Sequence, residues 1–142
     1  MTVLSTTALL ISVLTLGGCL QNAGQASGPR VYAADLVGAA KACEVGKVTP
    51  IAGAGSETAM KLANDGGWCA ISVHQEGPKP FEAGLLTRRP DHGNVLIHEV
   101  GAETRIDYTP DRGFTGSDSF AVKLIPGGAS IRTAVTVTAK QG

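Results

Sequence analysis

The sequence predicts an all-β fold, a single antiparallel β-sandwich of about seven short strands preceded by a leader and a tether. Three observations predict it. From Lys47 onward, apolar residues recur at every second position in short runs. Clusters of Gly, Pro, Asn and Asp separate those runs. The apolar residues suffice for one small core and not for two, so each run must bury its apolar edge against a second sheet. A chain of 142 residues is one domain with tails.

In chain order, residues 1–18 (MTVLSTTALLISVLTLGG) carry no charged side chain. Their apolar run Ala8 to Leu16 matches a signal-peptide hydrophobic region and is too short to span a bilayer. Leu16-Gly17-Gly18-Cys19 follows, and it resembles the bacterial lipobox. The resemblance implies acylation of the Cys19 sulfur, cleavage before it and anchoring in the envelope. Leu at position 20 implies, by similarity to enterobacterial sorting, the outer membrane, facing the periplasm or the surface. The alternative is an ordinary signal peptide. Leu20 to Arg30 is small and polar and reads as a tether. The Ala-rich segment Val31 to Glu44 has near-helical spacing with Asp35 as a cap, so a lipid-anchored tether with a short helix is expected over 19–45 and the sandwich over 46–142.

Within the sandwich, Met60 and Leu62 alternate with Ala59, Lys61 and Ala63, and Asn64-Asp65-Gly66-Gly67 marks a turn. Cys69, Ile71 and Val73 share one face, with Trp68, Ala70, Ser72 and His74 on the other. Gln75 to Pro80 is a loop. Leu85 lies in a strand whose alternation Leu86 breaks, and Val95 with Ile97 mark the next. Ile106 and Tyr108 alternate with Arg105 and Asp107, Phe120, Val122 and Leu124 with Ala121 and Lys123. After the Pro126-Gly127-Gly128 turn, Ile131, Thr133, Val135 and Val137 form the last inward row.

Between these strands, Tyr108 to Phe120 (YTPDRGFTGSDSF) reads either as a cation-binding loop or as a tight corner. Calcium takes six to eight oxygen ligands, and this stretch offers only Asp111 and Asp118, without a DxDxDG cluster. The corner needs nothing further: glycines at 113 and 116, Pro110 ending a strand, Phe114 turned inward as a plug, and Asp118 accepting backbone amides. Pro90-Asp91-His92-Gly93, Tyr108-Thr109-Pro110, and Gly113-Phe114 through Gly116, Asp118 and Phe120 resemble the bacterial immunoglobulin-like, cadherin-like repeats of large surface proteins. The resemblance implies an Ig-like sandwich, a packing role for His92 beside its turn, and no particular activity.

Cysteine usage fits an oxidising compartment. Lipidation of Cys19 leaves Cys43 and Cys69 as an even pair; a bridge between them would add about 3–4 kcal/mol, and two separate buried thiols are the alternative. Trp68 beside Cys69 resembles the Trp–cystine packing of immunoglobulin domains, although Cys43 precedes the expected sandwich. Trp68 either covers the bridge or stands exposed as a candidate binding anchor.

Twelve basic and twelve acidic residues cancel, which disfavours nucleic acid as a partner and leaves the lipid anchor as the membrane contact. His74, His92 and His98 lack HxH or HxxxH spacing, with His74 and His98 opposite the core face, so neither a metal nor another cofactor is expected. Gly53-Ala54-Gly55-Ser56 lacks the nucleophile-elbow context, and no carboxylates pair as acid and base. The expected function is a non-catalytic module binding an envelope protein or polymer. An accessory subunit anchoring a membrane-associated periplasmic enzyme complex, and a small hydrolase or enzyme inhibitor, are the alternatives.

Overall fold

The computed structural model describes residues 32–140. The leader, Cys19 and the tether up to residue 31 lie outside the described residues. Beyond Tyr32 the chain is mostly strand, in two packed sheets: a β-sandwich of eight strands.

The strands are β1 (Cys43–Val45), β2 (Gly55–Asn64), β3 (Cys69–Val73), β4 (Ala83–Arg88), β5 (Gly93–Val100), β6 (Glu103–Pro110), β7 (Gly116–Ile125) and β8 (Ser130–Ala139). One sheet runs β1-β2-β8-β7-β4 and the other β3-β6-β5. The pairing is antiparallel except between β2 and β8, which run parallel from Gly55 opposite Ser130 to Asn64 opposite Ala139. This departs from the all-antiparallel expectation, and the reason is topological. The chain leaves β2 for the opposite sheet, so the first long strand and the last meet side by side without a hairpin.

The inward rows are the alternating residues of the sequence. Met60 and Leu62 of β2, Ile71 and Val73 of β3, Ile106 and Tyr108 of β6, Phe120, Val122 and Leu124 of β7, and Ile131, Val135 and Val137 of β8 form one buried cluster. Burying each such side chain contributes about 1.5–3 kcal/mol, which is what holds the layers together. Thr133 sits in that row with its hydroxyl buried and without a hydrogen-bond partner. In β4 the break at Leu86 is a register shift between Leu86 and Arg88: Leu86 turns toward the core and Leu85 to solvent.

The two open sides of the sandwich are closed differently. On one side, Cys43 of β1 and Cys69 of β3 form a disulfide with Cα atoms 5.4 Å apart, joining the sheets covalently. On the other, Ile97 of β5 fills the space where a side chain at Gly84 of β4 would lie: a Cβ there would stand 2.7 Å from Ile97 Cγ2.

The N-terminal segment corrects two expectations. The helix over Val31–Glu44 shrinks to a single 3₁₀ turn, Ala33–Leu36, because Gly38 at φ +82° reverses the chain. The sheet then begins at Cys43, ahead of the expected boundary, with β1 pairing antiparallel to β2. Between the two, the chain lies as a strap against β3. The amide of Ala40 donates to Trp68 O (2.8 Å) and that of Trp68 to Gly38 O (3.0 Å). Gly67 permits this approach, since a Cβ would lie 2.4 Å from Ala40 N.

Candidate functional site

Two polar clusters stand out. The first is the corner formed by Tyr108–Phe120 and the β4–β5 turn. Asp118, entering β7, receives four donors: the amides of Asp91 (2.9 Å) and Ser119 (2.7 Å) on Oδ1, and the His92 amide and the Tyr108 hydroxyl (both 2.9 Å) on Oδ2. A carboxylate has about four lone-pair sites, so all are filled. Partial burial pushes the Asp118 carboxyl up, but the amides of Asp91, His92 and Ser119 and the Tyr108 hydroxyl outweigh it and hold it below its ordinary value. The Tyr108 hydroxyl is raised, first by burial and then by its bond to Asp118.

The remaining residues of the motif serve the same joint. Tyr108 stacks on Phe120 across the two sheets, ring centroids 5.9 Å apart, and both are fully buried. His92 stacks on Phe114 at 4.3 Å, and Phe114 packs against the core as the end plug. Gly93 lies so close under Tyr108 that a Cβ would be 2.6 Å from its ring. Pro110 ends β6 opposite Gly93, while Gly113 and Gly116 take positive φ through the loop. Asn64 of β2 ties the loop down by donating to Asp111 O (2.8 Å) and Phe114 O (2.9 Å). The stretch is a corner, and its carboxylate is saturated by the fold itself.

The second cluster went unread in the sequence. Arg105 and Asp107 point to the outer face of the β3-β6-β5 sheet, as alternation requires, yet they are only 8% and 4% exposed. The strap covers them. Arg105 holds Asp107 with two parallel bonds, Nε to Oδ1 at 2.8 Å and Nη2 to Oδ2 at 3.1 Å. Its Nη1 donates to Asp35 O in the 3₁₀ turn, and its guanidinium sits 4.1 Å over the Trp68 ring. Trp68 Nε1 donates to Val37 O at 3.1 Å. His98, expected to be solvated, is half-buried with Nε2 2.9 Å from Asp107 Oδ2. His74 is exposed. Trp68 is therefore an internal clasp for the strap, with its one donor and one ring face engaged, and it lies beside the bridge formed by Cys69.

The opposite charges at i and i+2 on one face of a strand were visible in the sequence, but such a pair is equally at home on a solvated face, so nothing in it announced a cover. Neither cluster brings an unoccupied acid beside an unoccupied base. Among the described residues no three His, Cys, Asp or Glu side chains gather as metal ligands. No described helix is long and apolar enough to cross a membrane, and the disulfide is compatible with an exported protein. No protein-family model matches the chain, and a search of curated proteins finds no match either.

Proposed function

We propose that the chain is an exported envelope lipoprotein, anchored through Cys19, whose Ig-like sandwich is a non-catalytic binding module for an envelope protein or polymer. The observation that carries the reading is the strand order. Taking β3 to β8 as the B to G strands of an immunoglobulin-type sandwich, β3-β6-β5 corresponds to B-E-D and β4-β7-β8 to C-F-G, with β2 added parallel to the last strand. Support also comes from the disulfide, which suits an oxidising compartment, and from the two polar clusters, whose groups are spent on internal partners.

The test is fractionation together with capture. Native protein should partition with membranes and into detergent, and Cys19→Ala should move it to the soluble fraction. Cross-linking in intact cells followed by mild detergent extraction should recover an envelope partner in stoichiometric amount. Soluble behaviour of the unaltered protein would overturn the anchoring, and hydrolytic turnover by the purified chain would overturn the non-catalytic role.

A further inference from the structure

The outside of the corner loop forms a wall of a groove of about 510 Å³ at one end of the sandwich. Asn64 at the end of β2 and Asp65 and Gly66 of the turn after it line it, together with Arg112, Gly113 and Lys140. We propose that this groove binds an anionic glycan, with Arg112 and Lys140 gripping a phosphate or carboxylate and Asp65 accepting a neighbouring sugar hydroxyl.

Three features of the groove carry this. Arg112 and Lys140 are both exposed, line the same groove and belong to none of the ion pairs among the described residues. The backbone amides of Gly66, Arg112 and Gly113 donate to no protein acceptor among the described residues, and nothing lies within 4 Å of where a Cβ would stand on either glycine, so an oxyanion can approach the main chain from that side. Asp65 already accepts one bond on each oxygen, from Lys41 N at 2.9 Å and Gly67 N at 3.0 Å. Those bonds fix the carboxylate and leave it lone pairs for a hydroxyl.

The same features choose among anionic polymers. No aromatic side chain lines the groove, so nucleic-acid bases have nothing to stack on. A fixed carboxylate among the cations repels closely spaced phosphates and suits a chain in which charges alternate with hydroxyls. The inference rests on the reading of the chain as a polymer-binding module, and names the polymer's chemistry and its place.

The experiment is calorimetric titration of the full-length protein in non-ionic detergent. The probes are phosphorylated mannan, polygalacturonate, neutral dextran and a single-stranded DNA oligomer. Binding of the phosphorylated mannan, the polygalacturonate or both supports the proposal and identifies the charged group. That binding should weaken as salt rises, and the pair Arg112→Gln, Lys140→Gln should lower affinity at least about tenfold. Arg132→Gln, a cation on the far sheet face paired with Glu57, should leave it unchanged. No binding of either charged glycan, equal binding by the double variant, or equally tight binding of dextran or DNA overturns it. Protein that fractionates with membranes yet ignores the charged glycans removes the groove alone, whereas protein that binds them but stays soluble removes the anchor alone.

Discussion

Replacing Asp118 tests the corner most directly. In Asp118→Ala the three amides and the Tyr108 hydroxyl lose their acceptor together. Tyr108 can turn to His92 O, 3.2 Å away, and the amides of Asp91 and His92 belong to exposed residues that water can reach. The half-buried Ser119 amide has less recourse. Counting about 1 kcal/mol for each recoverable bond and about 1.5 for the Ser119 amide gives a loss of about 4.5 kcal/mol, a fall in Tm of roughly 20 °C for a domain of this size. Asp118→Asn is milder. Its carbonyl keeps Asp91 and Ser119, its amide donates to a rotated Tyr108 hydroxyl, and only the His92 N–H is left facing a donor, a loss of about 2 kcal/mol.

The sign of the pH dependence follows from the lowered carboxyl. The stabilisation is present above the ordinary carboxylate value, about 3.9, and is lost as pH falls through the lower folded value. Urea titrations of wild type and Asp118→Asn should therefore differ at neutral pH and converge in strong acid. A cycle of Asp118→Ala with Tyr108→Phe should show a coupling of about 1 kcal/mol. Equal stability at neutral pH, or a gap that persists in acid, refutes the corner as a carboxylate-centred joint.

Removing the bridge as Cys43→Ser with Cys69→Ser should cost about 3.5 kcal/mol from the chain entropy of a loop with sequence separation 26, read by denaturant midpoint. Thr133→Val should raise stability by about 1 kcal/mol, because it removes a buried hydroxyl without a partner at nearly constant shape; a loss would reveal a hidden acceptor. Gly67→Ala should detach the strap, raising hydrogen exchange at the Ala40 amide while the β7–β8 amides keep their protection. Tyr108 ionises later than a free tyrosine, so its stabilising share holds up to about pH 10 and declines above, a decline that Tyr108→Phe should lack.

Much of the sandwich was legible. The rows Cys69-Ile71-Val73, Phe120-Val122-Leu124 and Ile131 to Val137 alternate strictly, and a one-residue slip would expose each entirely. Gly55–Thr58 of β2 escaped because a small and polar run has no apolar rhythm; its strand character comes from pairing with β8. β1 is three residues long, too short for a period, and is held by its neighbour and the disulfide. The corner could be read from its Pro, Gly and Asp chemistry, but that Asp118 collects amides from the preceding hairpin is a matter of tertiary placement. Arg105 and Asp107 were hidden for a related reason. Alternation tells which side of a strand is oily and is silent on what lies over the other side.

The covalent link between Cys43 and Cys69 also sets how the domain bears a load. Tension applied through the N-terminal segment passes along the strap to Cys43 and crosses the sulfur bridge to Cys69. The intervening residues 44–68, which include β1 and β2, lie on a slack branch. A pull on the N-terminal segment would therefore strain the clasp over Trp68 first, while the strands between the two cysteines are bypassed.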